Sequence, residues 1–445
     1  MSHITCLGSH TVTGLLCTMG DQFDDWTASY RFYSEPRFEQ DTLYAVLRRG
    51  ALENLDADDP FLTAMDDSIL RKTGKRTPGV SYRRDPLGPP FQTNLVLAQR
   101  VLQISAELPG TPHTQMVPID FQHAPTPKRP RKGSPPEDWE EYKRLSKQCN
   151  ISLVGAERIK HLRAELDRDE PQRDRQLWVT VDGRFTNKTV LRNLPDRTVF
   201  IGRIRADASL HHPPTPKSSG PGRRCWYGQK APTPDELRRD TSMPWQEITV
   251  DASGGNRTFK IKTLAPLFWR TAGHDLPLRL IVIAPTPYRL RKGSKLLYRQ
   301  PAYIITTDLD SPADKIVQAY IRRWGIEVNF RDEKQLFGVG QAQVRSPESV
   351  QTAPALAVAS YSALLLSADR ASKGSGMLDT LPPPKWRSSH SKAKPTTQDL
   401  RQAMRNEMWG QALKRNFSGF VNADVPDGKP QKSLLHLPYA VLYAK

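Results

Sequence analysis

Four polar residues between positions 320 and 334 have types and spacing that suit phosphate chemistry. They are Tyr320, Arg323, Glu327 and Lys334. On an α-helix, which turns about 100° per residue, these four side chains lie within one arc roughly 60° wide. One carboxylate is then held between two cations and beside a phenol. A carboxylate suits a hard divalent metal ion, whereas cations suit phosphate oxygens.

A helix starting near residue 311 must position these side chains. Ser311 and Pro312 predict an N-cap and a proline in the first turn, and Asp314 adds an acidic first turn. An apolar strip beside the four residues predicts that the helix packs on a core. The strip consists of Val317, Ile321, Trp324 and Val328. The simpler alternative is a solvated face on which Arg323 and Glu327 form an ordinary i,i+4 ion pair.

Two upstream segments predict buried strands that end in aspartates. Residues 60–68 are apolar until Asp66 and Asp67, and residues 175–182 are apolar until Asp182. Taken alone, either pattern is most often a strand followed by a turn or a helix cap. A site becomes a strong hypothesis only when the two segments are combined with the residues at 320–334.

Together, the three segments resemble the DDE transposases of bacterial insertion sequences, which carry a Y-R-E-K signature. The resemblance covers about residues 60–345 and is best at 66–80, 182–205 and 320–334. In that family, a hydroxyl residue follows two positions after the first catalytic aspartate. We therefore prefer Asp66, which Ser68 follows at that spacing, and keep Asp67 as the alternative.

The resemblance implies an α/β fold and a metal-dependent activity. The expected fold is an RNase H-like mixed sheet flanked by helices, with a β-strand insertion between the second aspartate and the glutamate, plus helical N- and C-terminal segments. Asp66, Asp182 and Glu327 are implied to be the catalytic residues and the ligands of two Mg²⁺ ions, for which Mn²⁺ would substitute. The resemblance, read with the basic residues nearby, suggests DNA contacts for Tyr320, Arg323, Lys334, Arg203, Arg205, Lys72 and Lys75.

The expected domain organisation follows from these positions. Residues 1–58 form a helical segment, for which DNA-end binding and a cap on the core are equally good interpretations. Residues 59–205 form the first part of the catalytic core, and residues 206–275 form a β-rich insertion. Residues 276–370 complete the core, and residues 371–445 form a basic C-terminal region with a terminal helix from about position 397.

Two surface features allow alternative interpretations. A proline-rich loop after His123 carries cations that either bind phosphates or only aid solubility; they are Lys128, Arg129, Arg131 and Lys132. The insertion contains tryptophans that suit base stacking, although core packing is the more common role in a small β-domain. They are Trp226, Trp245 and Trp269.

Composition limits the partners. The 445-residue chain has a formal net charge of +18, which indicates a polyanionic partner, either nucleic acid or an anionic membrane surface. No apolar run approaches the roughly 20 residues that span a bilayer, so we expect no membrane insertion. The four cysteines lack C-x-x-C pairing and are expected to be reduced.

With the resemblance, the partner becomes DNA, namely transposon terminal inverted repeats and target DNA. A homodimer in the synaptic complex and a cytoplasmic, nucleoid-associated location in a bacterium are also implied. Two alternatives remain open. One is a metal-dependent RNase H-like nuclease without strand transfer, and the other is a non-catalytic DNA-binding protein.

Overall fold

One mixed β-sheet dominates the computed structural model. The model describes residues 1–408 except 54, 86–87, 90, 110–114, 215–224, 253–254 and 376–394. The strands are β1 Phe61–Arg71, β2 Ser81–Arg84, β3 Leu95–Leu108, β4 Gln115–His123, β5 Leu177–Val181, β6 Thr198–Arg203, β7 Leu210–His211, β8 Gln246–Asp251, β9 Asn256–Trp269, β10 Pro277–Ile283, β11 Pro287–Tyr288, β12 Leu297–Tyr298 and β13 Ala302–Thr306.

Helices cover both faces of this sheet. They are α1 Ser2–Thr5, α2 Val12–Met19, α3 Thr27–Ser34, α4 Gln40–Leu52, α5 Pro136–Gln148, α6 Ile151–Arg168, α7 Lys188–Leu191, α8 Pro234–Arg239, α9 Ala313–Arg322, α10 Trp324–Gln335 and α11 Pro347–Ser375. Residues 397–408 are also helical. The rest of the predicted terminal helix and most of the basic C-terminal region lie outside the described residues.

The strand order confirms the predicted RNase H-like mixed sheet. It runs β2-β3-β1-β5-β6-β13-β10-β9-β7, with β4 also paired to β3 and β8 also paired to β9. Strands β1, β5 and β6 are parallel neighbours, whereas the other pairs of this sheet are antiparallel. Strands β11 and β12 form a separate two-stranded ribbon.

The parallel centre of the sheet is buried on both faces, as expected for strands with helices on each side. All five residues of β5 are buried. Two buried threonine hydroxyls reinforce the β1–β5 pairing: Thr63 Oγ1 donates to the Trp178 carbonyl at 2.9 Å, and Thr180 Oγ1 donates to the Thr63 carbonyl at 2.8 Å. These buried, paired strands therefore hold the residues at their carboxyl ends in fixed positions.

Strand β1 is longer than expected. The sequence predicts that it ends at the aspartates, but β1 continues to Arg71 because β3 pairs with it as far as that residue. The pairing of β1 with β5 does end near the aspartates, because the last registered pair is Met65 with Val181. The aspartate backbone is thus held by β3 on one side only.

The 206–275 segment, expected to be β-rich, contains a hairpin in which β8 pairs with β9. Residues 253–254 of its turn lie outside the described residues. Strand β9 also pairs with β10, so the hairpin is continuous with the main sheet. The hairpin strand therefore extends the core sheet directly.

The N-terminal helix α4 and the long helix α11 pack together on β4. The hydroxyl of Tyr44 donates to the Ala355 carbonyl at 3.0 Å and links these two helices. Contrary to the sequence expectation, one helical stretch, residues 347–373, is long and apolar enough to cross a bilayer by those two criteria. However, 72% of its most apolar window is buried inside the fold, as in a core helix.

Candidate active site

Two parallel strands bring Asp66 and Asp182 side by side. Strands β1 and β5 are in register up to Met65 and Val181. The next residues are Asp66, within β1, and Asp182, directly after the end of β5. The Asp182 carboxylate accepts backbone hydrogen bonds from Arg184 at 2.9 Å and from Phe185 at 3.3 Å, which fix the turn after β5. The predicted pair of strand-end carboxylates is therefore assembled.

The Asp66 carboxyl group is in an unfavourable place for a negative charge. Burial, together with the nearby charge of Asp182, raises the pKa of Asp66 to about 7, although Arg323 opposes this rise. A carboxyl group with such a pKa exchanges its proton near neutral pH. A cation that approached both carboxylates would relieve the repulsion between them.

Asp67 lies on the other face of the sheet, because successive side chains of a strand alternate in direction. Asp66 follows Leu62 and Ala64 on the face that packs on α9 and α10. Asp67 instead forms an ion pair with Arg184 at 3.0 Å on the opposite face. The geometry therefore favours Asp66 over Asp67 as the carboxylate that works with the 320–334 residues.

The predicted single helix is in fact two helices that meet at Arg323. Helix α9 begins at Ala313 after Pro312, and α10 begins at Trp324. Arg323 keeps helical angles, but its carbonyl accepts from Ile326 N at 3.0 Å in a tighter turn than the α-helical one. The break exposes Trp324, whose exposed fraction is 62%, so its predicted place in the apolar strip was wrong.

Arg323 connects two of the predicted catalytic carboxylates. Its Nη1 donates to Asp66 Oδ2 at 3.3 Å, and its Nη2 donates to Glu327 Oε1 at 3.1 Å. Burial disfavours the guanidinium charge, but Tyr320, Asp66 and Glu327 outweigh burial and raise the pKa of Arg323. Arg323 therefore stays charged between these groups.

The two outer members of the four-residue set also reach this place. The guanidinium carbon of Arg323 lies 5.8 Å from the ring centre of Tyr320. Burial raises the pKa of the Tyr320 phenol, on which the charges of Arg203 and Asp182 also act. At the other end, Lys334 Nζ donates to Ser68 Oγ at 2.6 Å. All four residues thus face the strand ends despite the break.

Close packing explains how α10 is seated beside the strands. A β-carbon on Gly325 would lie 2.3 Å from Met116 Cγ, so only glycine allows this approach of the helix to β4. Asn329 Nδ2 donates to the Met116 carbonyl at 2.9 Å, and Ile326 and Phe330 pack on Ala64. These contacts set the position of Glu327 relative to Asp66.

The carboxylates fit a divalent cation in part. Hard oxygen ligands at two adjacent strand ends suit Mg²⁺. Asp66 and Asp182 provide such a pair, and their mutual repulsion favours a bound cation. In the part of the chain that the structure describes, no three His, Cys, Asp or Glu side chains lie close enough to hold a metal ion together. Glu327 is joined to the pair through Arg323.

Two protein-family models match the chain. A family model described as DDE superfamily endonuclease matches residues 2–257, which is more than half of the chain. The chain belongs to this family. A second model, described as transposase DDE domain, matches residues 156–362, which include Asp182 and Glu327. The chain is thus a DDE endonuclease with a transposase domain, a class that uses divalent metal ions. No curated protein gives a significant match.

Not every predicted DNA contact of this DDE endonuclease is exposed at the site. Lys72 Nζ donates to the Gly340 carbonyl at 2.7 Å, so its ammonium group is engaged by the backbone. Lys75 is exposed in the following turn. Arg203 lies at the exposed end of β6, and Arg205 forms an ion pair with Asp207 at 2.9 Å.

A groove opens beside Asp182 in this endonuclease. Its volume is about 1230 Å³, and its lining combines the turn after β5, the end of β6 and helix α8. Its lining contains four arginines and two aspartates, and Asp207 and Asp235 form ion pairs with three of the arginines. Trp269 and Tyr303 add aromatic surface. The arginines are Arg203, Arg205, Arg238 and Arg239. A polyanion can approach the strand ends through this groove.

Sequence reasoning missed three polar residues around the site. Gln103, opposite Asp66 on β3, donates to Glu333 Oε1 at 2.9 Å. Burial raises the pKa of Glu333 to about 8. Arg184, the partner of Asp67, was also missed, although its place two residues after Asp182 was a usable signal.

Proposed function

We propose that this DDE endonuclease is the transposase of a bacterial insertion sequence of the Y-R-E-K type. It would cleave DNA at the ends of the element and join the new 3′ ends to a target by in-line phosphoryl transfer. One observation carries the proposal. Asp66 and Asp182 are adjacent on parallel strands, and Arg323 links Asp66 to Glu327 from the signature helices.

The proposed metal ligands are Asp66, Asp182 and Glu327, which would hold two Mg²⁺ ions. When bound, such ions supply an activated water or 3′-hydroxyl and stabilise the leaving oxygen. When DNA binds, the Arg323 guanidinium would leave Asp66 and Glu327 and pair with a DNA phosphate. Glu327 would then be free to bind the metal ions together with the two aspartates. Such an exchange keeps both the arginine and the carboxylates paired with opposite charge.

The remaining signature residues would position the substrate in this proposal. Lys334, held beside the strand end by Ser68, would bind a non-bridging phosphate oxygen as a point charge. Tyr320, between Arg323 and Asp182, would orient a second phosphate. The chain forms no covalent bond to DNA in this scheme, because the attacking group is a water or a 3′-hydroxyl.

The proposed partner is DNA, as terminal inverted repeats and target DNA, bound by a homodimer in the synaptic complex. The net charge of +18 and the arginine groove beside Asp182 support a polyanionic partner. The proposed setting is the nucleoid in the bacterial cytoplasm.

Alanine variants test the catalytic assignment. The full chain is incubated with Mg²⁺ and a DNA fragment that carries the sequences flanking its own coding region. Asp66→Ala, Asp182→Ala and Glu327→Ala are expected to abolish strand cleavage while DNA affinity stays near normal. Asp310→Ala, at an exposed acid before α9, is the matched control and should cleave normally. Full cleavage by all three site variants would remove the proposal.

A second assay separates a transposase from a simple nuclease. A DNA fragment with a pre-cut 3′ end is supplied with a supercoiled target plasmid. A transposase joins the fragment to the plasmid and produces a relaxed, larger product. Cleavage of intact DNA without any joined product would identify a nuclease instead, and binding without cleavage would identify a DNA-binding protein.

A further inference from the structure

Three arginines surround Asp67 on the sheet face opposite to Arg323. We call Arg83, Arg100 and Arg184 the Asp67 arginine cluster. Arg184 Nη1 lies 3.0 Å from Asp67, and the charges of Arg83 and Arg100 act on the same carboxylate. The arginines come from β2, β3 and the turn after β5, so three separate segments contribute to the cluster.

The charges in this cluster do not balance. Asp67 is ion-paired with Arg184, and its charge also acts on Arg83 and Arg100, so one carboxylate faces three guanidinium groups. Burial, together with the charges of Arg83 and Arg184, lowers the pKa of Arg100 to about 10. His123, on which the charge of Arg83 acts, is a histidine and cannot supply a compensating negative charge. A partly buried excess of positive charge is costly unless an anion joins it.

The cluster has hydrogen-bond donors to spare. Arg100 directs Nε to the Ala124 carbonyl and Nη2 to the Cys149 carbonyl, each at 3.3 Å, so its guanidinium is fixed. Arg83 contacts Thr126 through Nη2, but its buried Nε has no partner among the described residues. Buried donors usually have an acceptor, so the described residues leave the Arg83 guanidinium incompletely hydrogen-bonded.

Within the cluster, Arg100 is buried and Arg83 is partly buried, whereas Arg184 is accessible to a polymer. The side chain of Arg184 is 51% exposed. The proline-rich loop that begins beside Arg100 carries further cations with exposed side chains. They are Lys128, Arg129, Arg131 and Lys132. A ligand bound at the cluster would therefore continue along a basic surface.

We infer that Arg83, Arg100 and Arg184 form a phosphodiester-binding site for the DNA strand next to the one that is cut. This inference rests on the proposed function and extends it. Arg184 is two residues from Asp182, whereas Arg323 and Lys334 approach the strand ends from the other sheet face. Residues on both faces of the sheet would thus contact the DNA. The arginine cluster would bind it on one face, and Arg323 and Lys334 would bind it on the other, near the carboxylates.

Salt dependence of DNA binding tests this site. Affinity of the full chain for a duplex is measured by fluorescence anisotropy over a salt series, without divalent metal, so that no cleavage occurs. Arg83→Gln and Arg184→Gln are each expected to reduce the slope of log K against log salt by about 0.9, the value for one lost phosphate contact. Arg197→Gln is the matched control, because Arg197 is an ion-paired, 40% exposed arginine at the far end of β5 and β6.

A variant that is expected to bind DNA more tightly distinguishes loss of a phosphate contact from misfolding, because misfolding would weaken binding. Asp67→Asn removes the negative charge that pairs with Arg184 and acts on Arg83 and Arg100, and it should tighten DNA binding severalfold. A purely structural role of the ion pair predicts weaker binding instead. Melting temperatures of all variants are measured to show that each is folded.

The possible outcomes separate this inference from the proposed function. Unchanged slopes in folded Arg83→Gln and Arg184→Gln, with normal cleavage by the unmodified chain, would overturn the phosphate site alone. Reduced slopes in a chain that never cleaves DNA would support the site and overturn the proposed function. Stabilisation of the unmodified chain by inorganic phosphate, with DNA slopes unchanged in the variants, would identify a free-phosphate site and overturn the DNA assignment.

Discussion

The guanidinium of Arg323 donates to the carboxylate of Asp66 at 3.3 Å, although 257 positions separate the two residues in the chain. The same guanidinium reaches Glu327 at 3.1 Å. A positive group of the protein thus occupies the space between two acids that are proposed to share a metal ion. Under that proposal, Arg323 and a metal ion would compete for the same oxygen atoms.

This competition predicts that loss of Arg323 favours metal binding without DNA. Arg323→Gln should bind Mn²⁺ roughly tenfold more tightly, because the displaced charge-assisted hydrogen bonds are worth on the order of 1–2 kcal/mol. Titration calorimetry on the DNA-free protein measures the affinity. Lys315→Gln, at an exposed lysine of α9, serves as the control and should not change it. Equal or weaker Mn²⁺ binding by Arg323→Gln would contradict the competition.

The contact between Lys334 and Ser68 predicts a requirement for a hydroxyl group at position 68. Ser68→Ala frees the ammonium group, which Ser68 holds at 2.6 Å, and should slow strand cleavage by about tenfold, since loss of one charged hydrogen bond costs roughly 1.5 kcal/mol. Ser68→Thr keeps the hydroxyl and should cleave near the normal rate. Single-turnover cleavage rates measure both variants. Equal rates for Ala and Thr would show that the contact is not needed.

The raised pKa of Asp66 predicts a pH-dependent loss of stability. The folded protein binds the Asp66 proton up to about pH 7, whereas the unfolded chain releases it near 3.8. The free energy of unfolding therefore falls as pH rises between these values, by up to about 1.4 kcal/mol per pH unit. Asp66→Asn cannot ionise, so it should be more stable than the unmodified chain at pH 8 by a few kcal/mol.

Urea unfolding with a metal chelator at pH 4 and pH 8 checks this prediction. Asp308→Asn, at an acid whose carboxylate caps the loop before α9, is a contrasting variant and should lose stability at pH 8. A less stable Asp66→Asn at pH 8 would mean that its contact with Arg323 outweighs the burial of its charge.

Glu333 predicts a second pH effect at a residue outside the proposed chemistry. Burial raises its pKa to about 8 from an ordinary value of 4.5, so it too destabilises the fold as pH rises through that interval. Glu333→Gln keeps the acceptor for Gln103 and should raise the free energy of unfolding at pH 9 while changing it little at pH 4. Thermal unfolding at both values measures the effect, with the exposed Glu247→Gln as control. A Glu333→Gln variant that is less stable than the unmodified chain at pH 9 would contradict the prediction.

Much of the arrangement could be predicted from sequence, because local patterns specify it. Apolar segments before Asp66 and Asp182 predict the central strands, and these form as β1 and β5. The helical spacing of Tyr320, Arg323, Glu327 and Lys334 predicts a shared direction, and their side chains do point to the same strand ends. The site roles of these residues stay predictions.

Long-range packing explains what sequence could not supply. The tightened turn at Arg323 depends on how α10 docks through Gly325 on Met116, a contact between residues far apart in the chain. The length of β1 is set by its partner β3, so a local pattern ends the strand too early. The choice between Asp66 and Asp67 required the sheet faces, which depend on which helices pack on each side.

The carboxylates that Arg323 bridges come from the first strand and from a helix beyond the last strand of the sheet. Under the proposed roles, a ribosome that stops anywhere before this helix releases a product without its third acid. Such a truncated chain would therefore not cleave DNA under these roles. The proposed cleavage activity would require translation through residue 327, past every strand of the sheet.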